Sequence, residues 1–188
     1  IDPIFTFLLI GSIILFFFIG CSTSNSKKNP EIKEIDMESI LNSPMSLDRH
    51  VLETCYNLNT SLAPIYLNDI MAHLNNKTGL WKECYFSTMS IYCNSLTNDQ
   101  EPQFQAALFE YFLHNPAQYL SFLDKTTFET SDCLLSKLSA YVNNHVLNDE
   151  ITLISIKNVV YKHCSDCSDH DIEAIYLYID LVKKFQDK

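Results

Sequence analysis

The residues whose types and spacing could do chemistry are concentrated near the end of the chain. An eight-residue stretch there reads His163-Cys164-Ser165-Asp166-Cys167-Ser168-Asp169-His170. Two cysteines separated by two residues, with histidine on either side, are compatible with disulfide formation, with thiol redox exchange and with metal binding. The choice among these depends on the elements that position the two sulfur atoms.

The metal and redox interpretations each lack part of their usual context. A zinc site uses four nitrogen or sulfur ligands, and His163, Cys164, Cys167 and His170 are of these types. No second C-x-x-C or H-x-x-x-H completes a familiar module. Cys167 precedes a predicted helix, as a redox cysteine often does, but no βαβ context accompanies it. Haem attachment is excluded because Ser168 stands where histidine is needed. We therefore expect both cysteines to enter structural disulfides at a helix–helix corner and expect no cofactor, and we keep redox and metal chemistry as alternatives.

The cysteine count also favours disulfides. Seven cysteines stand at positions 21, 55, 84, 93, 133, 164 and 167. Cys84 and Cys93 lie on one predicted helix, nine residues or about 13.5 Å apart along its axis. Bridged Cα atoms lie within about 7 Å of each other, so these two cannot pair unless the helix breaks. Cys84 consequently has no obvious partner.

A regular up-and-down order of helices predicts the pairing of the other cysteines. In that order Cys55 lies level with Cys93, two helices later. Cys133 begins a helix and Cys164 ends the next antiparallel one. The predicted bridges are therefore Cys55–Cys93 and either Cys133–Cys164 or Cys133–Cys167.

Three apolar stripes at helical spacing, in 104–112, 134–146 and 172–185, indicate the class of fold. Residues spaced i, i+3, i+4 and i+7 lie on one face of a helix. The stripe residues are Phe104, Ala107, Leu108, Tyr111, Phe112, Leu134, Leu135, Leu138, Tyr141, Val142, Val146, Ile172, Ile175, Tyr176, Ile179, Val182 and Phe185. Less regular helices are predicted over about 46–57, 62–75, 80–97, 117–125 and 151–164. Dense Ile, Val and Thr make β propensity compete in the last of these.

The residues at the predicted ends of these segments are also typical of helices. Asn115-Pro116 and Ser168 are predicted starts, since Asn and Ser cap helices and Pro suits the first turn. Gly79 is the only glycine after position 20, which argues against hairpin-rich β folds. We predict an all-α domain of about seven to nine helices, either an irregular stack of antiparallel helical hairpins or a compact bundle, stapled by disulfides.

Composition and missing motifs narrow the function. The formal net charge is −10, Arg49 is the only arginine, and no cluster exceeds two lysines. The basic patch that nucleic-acid binding requires is therefore missing. No G-x-S-x-G, H-E-x-x-H or Gly-rich phosphate loop occurs. The sequence favours a non-enzymatic role.

The beginning of the chain points to a compartment. Residues 4–20 carry no charged side chain, and this apolar run ends at Phe18-Ile19-Gly20-Cys21. A small residue before Cys, after an apolar segment and before a polar stretch, resembles a bacterial lipoprotein signal peptide. A membrane span needs about 17–25 apolar residues, and this run is at the lower limit of that range. An uncleaved anchor helix is therefore one alternative, and a buried core helix is the other.

The resemblance implies cleavage before Cys21 and acylation (palmitate-type chains) of that residue. The expected divisions are then a signal peptide at 1–20, a lipidated tether at 21–35 and an all-α domain at 36–188. Ser22 after the cysteine implies the outer membrane more than the inner one, with the domain facing the periplasm or the exterior. The expected function is a membrane-tethered envelope module that binds a protein partner. A thiol-redox or metal protein centred on Cys164 and Cys167, and a carrier of small ligands or lipids, are the alternatives.

Overall fold

Every regular element in the described part of the chain is a helix. The computed structural model describes residues 36–59, 61–146 and 150–185. Its α-helices are α1 (Met37–Leu41), α2 (Leu47–Cys55), α3 (Leu67–Leu74), α4 (Gly79–Ser90), α5 (Glu101–His114), α6 (Pro116–Leu123), α7 (Phe128–Tyr141), α8 (Glu150–Lys162) and α9 (Asp169–Lys184). Short 3₁₀ segments lie at Pro64–Tyr66 and Cys93–Ser95, and a π-helical segment at Val142–Val146. The predicted all-α, disulfide-stapled fold is confirmed.

Helix α5 forms the centre of the core. All five residues of its predicted stripe are buried, and the helix packs against α3, α6, α7 and α8. Phe86 of α4 stacks on Tyr111 with ring centroids 3.9 Å apart, and Phe112 meets Tyr119 of α6 edge-on at 5.2 Å. Large aromatic side chains bury much apolar area each, so this cluster supplies a large share of the packing energy.

The other two stripes also face inward. In α7 and the π-helical segment after it, Leu134, Leu138 and Val142 are buried, and in α9 Ile175, Ile179 and Val182 are. The Ser139 hydroxyl donates to the Val182 carbonyl at 2.8 Å, which ties α7 to the last turn of α9. The periodicity therefore predicted which face of each helix enters the core.

Side-chain caps account for several helix starts. Ser46, Thr127 and Ser168 each accept a hydrogen bond from the backbone N–H three residues later. Asn115 does precede α6, but its side chain makes no cap. Instead its Nδ2 donates to the Tyr111 carbonyl at 3.1 Å, so it closes the preceding helix.

The segment with dense β-branched residues is helix α8. Its Ile156 and Val160 are buried, and the helix packs against α5 and α9. Tertiary packing thus outweighs the β propensity of Ile, Val and Thr, which is a weak preference by comparison.

The predicted disulfide partners are wrong. Cys55 pairs with Cys84, Cys93 with Cys133, and Cys164 with Cys167, at Cα–Cα distances of 5.1, 6.1 and 5.1 Å. Neither Cys55–Cys93 nor a bridge from Cys133 to Cys164 or Cys167 forms.

The reason is a break in the helix predicted over 80–97. Helix α4 ends at Ser90, and Cys93 lies in a separate 3₁₀ segment that packs against α7. Cys93 therefore meets Cys133 at the start of α7. Cys84, in the middle of α4, faces Cys55 at the end of the adjacent α2.

Residues 1–35 lie outside the described residues, so the predicted signal peptide, Cys21 and the tether do too. Residues from Asp36 onward form one compact unit. Among the described helices, none has both the length and the apolar character needed to cross a bilayer.

Candidate functional site

The Cys164–Cys167 disulfide closes the corner between α8 and α9. Helix α8 ends at Lys162 and α9 begins at Asp169. The Cys167 N–H donates to the Cys164 carbonyl at 3.1 Å, so the corner is a tight turn. Cys164 is only 4% exposed, whereas Cys167 is half-buried. The two cysteine residues therefore differ in their access to solvent.

The start of α9 is fixed by a reciprocal cap. The Ser168 N–H and hydroxyl donate to Asp171 Oδ2 at 3.0 and 2.7 Å, and the Asp171 N–H donates back to Ser168 Oγ at 3.2 Å. The Ser168 hydroxyl is the main cause that lowers the pKa of Asp171 below its ordinary value. This carboxylate is therefore charged at neutral pH and held at the first turn.

A pair of imidazole rings, those of His114 and His163, lies beside the start of the corner. His163 precedes Cys164, and its ring lies edge-on to that of His114, with centroids 4.6 Å apart. His114 Nδ1 donates to the Glu110 carbonyl at 2.9 Å, which orients that ring. His163 and His170, which were predicted as possible ligands, are both exposed.

An apolar groove begins at the first turn of α9. We call it the α6–α9 groove; its volume is about 520 Å³. Its lining residues are Ala117, Leu120, Ser121, Leu123, Asp124, His170, Asp171, Ala174, Ile175, Leu177, Tyr178 and Leu181. Leu177 and Leu181 are 64% and 46% exposed and lie one helical turn apart, so together they form a continuous apolar edge of the groove.

The floor of the α6–α9 groove is uncharged. The Tyr178 hydroxyl lies 2.9 Å from that of Tyr119. Burial raises the pKa of both phenols well above the ordinary value, so both stay neutral at physiological pH. The lining contains two carboxylates, Asp124 and Asp171, together with His170, and it contains no lysine or arginine. The groove thus combines an apolar interior with negative charge.

A second groove lies on the other side of α6. This α4–α6 groove has a volume of about 450 Å³ and shares Ala117 and Ser121 with the first. It is lined by one acidic and one basic side chain, Glu83 and Lys125, so its charges balance. Leu80, at 38%, is its most exposed large apolar residue.

The residues predicted for chemistry have different outcomes. Cys55, Cys93, Cys133, Cys164 and Cys167 all form disulfides, and each of the five has a partner other than the predicted one. With Cys164 and Cys167 bonded to each other, neither offers a thiolate to a metal. In the described residues no cluster of three or more His, Cys, Asp or Glu is arranged to hold an ion.

No family model, no curated protein and no solved structure matches the chain significantly. The function must therefore be argued from the corner, the grooves and the beginning of the chain.

The α6–α9 groove is the feature that sequence reasoning missed. Leu177 and Leu181 are four residues apart and lie outside the core stripe of α9. A second pair of apolar residues on one side of a helix signals a second covered face. That signal was in the sequence, but the α6 residues that complete the groove could not be assigned to it without the fold.

Proposed function

We propose that the chain is a non-enzymatic, membrane-tethered module of the bacterial envelope that holds an amphipathic helix of a partner protein in its α6–α9 groove. The observation that carries the binding role is the pair of exposed leucines, Leu177 and Leu181, along a groove lined by two carboxylates and by no lysine or arginine.

The size of the groove suits a helix. Its α9 wall runs from His170 to Leu181, a rise of about 16.5 Å along the helix axis. That length accommodates roughly three turns of a partner helix with apolar anchors at i, i+3 or i+4, and i+7. Two flanking helices already provide the walls against which a third can pack.

The charge of the groove defines the partner further. Asp124 and Asp171 are the two lining carboxylates, and the whole chain carries −10. A partner helix with lysine or arginine beside its apolar face is therefore favoured, and an acidic one is repelled. Such complementarity acts mostly on specificity and on the rate of association.

The tether is supported by the Gly20-Cys21 junction after an apolar run. Stable anchoring needs more than one acyl chain, and a lipoprotein cysteine carries several. Intact mass of the protein from its native envelope tests this part. A product that begins at Cys21 with acyl adducts supports the tether, and an unmodified product that retains residues 1–20 contradicts it.

Binding can be tested with a synthetic helix. The probe carries leucines at i, i+4 and i+7 and lysines on both flanks, and fluorescence anisotropy measures its affinity for the protein. A peptide with glutamates in place of the lysines is the matched probe. We expect the lysine peptide to bind more tightly, with a difference that shrinks as salt is added, because salt screens exposed charges.

Matched variants locate the binding surface. Leu177→Glu puts a charge into the groove, and we expect at least about tenfold weaker binding, or roughly 1.4 kcal/mol. Ile154→Glu, on α8, changes an equally exposed residue (60%) outside the groove and should leave affinity unchanged. Equal losses in the two variants would refute the groove. A protein recovered from envelope extract counts as a partner only if Leu177→Glu loses it and Ile154→Glu keeps it.

The same variants address the carrier alternative. If a fluorescent fatty acid binds the wild-type protein, Leu177→Glu abolishes this binding, and no peptide competes with it, the groove is a ligand site and the proposed docking role fails.

A further inference from the structure

We propose that Cys164 and Cys167 form a redox-active pair that exchanges disulfides with protein thiols outside the cytoplasm, with Cys167 as the sulfur that is attacked. This activity is separate from helix docking and does not require the α6–α9 groove.

The local character of the bridge is the first argument. Cys164 and Cys167 are three residues apart, whereas the other bridges span 29 and 40 residues and join different helices. A bridge stabilises a fold mainly by closing a loop in the unfolded chain, and a short loop contributes least. Opening the corner bridge therefore leaves the fold held by two others. The two thiols stay within one turn of each other and can close again.

The difference in access between the two cysteines is the second argument. Cys164 is 4% exposed and Cys167 is half-buried. Disulfide exchange requires an attacking thiolate to reach one sulfur in line with the bond that breaks. Cys167 is the more accessible residue of the two, so we assign its sulfur as the one that an external thiolate attacks and Cys164 as the leaving group. In the reverse direction Cys167 is the nucleophile and Cys164 the resolving thiol.

The surroundings suit a thiol that reacts. Cys167 immediately precedes Ser168, the cap of the sixteen-residue helix α9. The N-terminus of a helix carries partial positive charge, which favours an anion. His163 and His170 flank the pair in sequence, and both side chains are exposed. Asp169 and Asp171 in the first turn of α9 oppose the helix charge, so the pair is not expected to be a strong oxidant.

The proposed exchange conserves sulfur–sulfur bonds, electrons and protons. One thiolate of a reducing dithiol attacks Cys167 Sγ, a mixed disulfide forms, and the bond to Cys164 breaks with its electron pair on Cys164. The second thiolate of the dithiol then attacks its own partner sulfur in the mixed disulfide and releases Cys167 as a thiolate. The dithiol loses two electrons and becomes a disulfide, while the cysteine pair gains two electrons and takes up the protons that the dithiol releases.

The equilibrium experiment uses the full chain in glutathione buffers of graded ratio. After acid quenching and alkylation, peptide mapping reports the redox state of each bridge, and near-UV circular dichroism reports tertiary packing. We expect Cys164–Cys167 to open at ratios where Cys55–Cys84 and Cys93–Cys133 stay oxidised and the spectrum is unchanged. Opening only together with the other bridges, or only with loss of the spectrum, would overturn the proposal.

A pair of matched variants tests the direction of attack. Cys164→Ser and Cys167→Ser remove the same bridge but leave opposite thiols. With glutathione disulfide as the probe, Cys164→Ser should form its mixed disulfide at Cys167 at least about tenfold faster than Cys167→Ser forms one at Cys164. Equal rates contradict the assignment of Cys167. If either variant fails to fold, the equilibrium measurement on the wild-type chain still decides whether the pair is redox-active.

Discussion

The two bridges between helices and the bridge at the corner represent different uses of a disulfide. Cys55–Cys84 and Cys93–Cys133 join helices that are distant in sequence, and Cys84 and Cys93 are fully or almost fully buried. Cys164–Cys167 joins two residues of one turn, beside exposed histidines and at the start of an apolar groove. The difference shows that a bridge between distant residues constrains the whole fold, whereas a bridge within one turn constrains only that turn.

Removing a long-range bridge should have the largest effect. In Cys93→Ser/Cys133→Ser we expect the free energy of unfolding to fall by roughly 4 kcal/mol, because a 40-residue loop is no longer closed in the unfolded chain. Guanidinium chloride unfolding followed by circular dichroism measures it. A loss no greater than that of the corner variant would show that loop closure does not distinguish the two regions.

Removing the corner bridge should cost about half as much. Cys164→Ser/Cys167→Ser opens a loop only three residues long, so we expect a loss of about 2 kcal/mol or less in the same assay. Far-UV circular dichroism of the variant should match the wild type. A cooperative loss of helix would mean that the corner is as essential to the fold as the buried bridges.

The helix cap beside the corner should contribute less again. Ser168→Ala removes the hydroxyl that accepts from the Asp171 N–H, and we expect a loss of about 1 kcal/mol. Ser165→Ala, an exposed serine of the same turn that caps no helix, is the control and should lie within about 0.5 kcal/mol of the wild type. If both variants behave alike, the reciprocal cap does not stabilise α9.

The stability of the fold should depend on pH through His50, a buried residue of α2. Its Nε2 lies 2.9 Å from the Tyr92 hydroxyl, and burial lowers its pKa below the ordinary 6.5, against a smaller opposite effect of Glu53. The unfolded chain therefore takes up a proton near pH 6.5, and the folded chain does so only at lower pH. Stability should fall as the pH drops below about 6.5 and stop responding to this group below its folded pKa.

The measurement is the slope of the free energy of unfolding against pH, between about pH 5.5 and about pH 7.5. His50→Gln should make this slope shallower, whatever its effect on stability at pH 7. His73→Gln, which changes an exposed histidine of α3, is the matched control. A slope that responds equally to both variants would contradict the role of burial.

The smallest effect is expected on the rim of the groove. Leu177→Glu should change the free energy of unfolding by no more than about 0.5 kcal/mol, because the side chain is 64% exposed. A loss of several kcal/mol would show that Leu177 belongs to the core and not to a binding surface.

The helices could be predicted because their signals are local. The stripe from Phe104 to Phe112 and the cap at Ser168 depend on residues three or four apart, and both are as expected. The disulfide partners could not be predicted in the same way. They depend on where α4 ends, and nothing near Ser90 marks that end with a glycine or proline.

The candidate site was predicted only in part. The C-x-x-C spacing correctly predicted disulfide-bonded cysteines at the corner. The predicted partner of Cys164 or Cys167 was Cys133, whereas the two are bonded to each other. The α6–α9 groove depends on how α6 packs against α9, a contact between residues more than forty positions apart. Periodicity along one helix cannot supply such a contact.

Helix α6 separates the two grooves with a single eight-residue wall. Ala117 and Ser121 line both sides of that wall. A larger side chain at Ala117 or Ser121 would therefore reduce the space in both grooves at once, so one substitution there changes both surfaces.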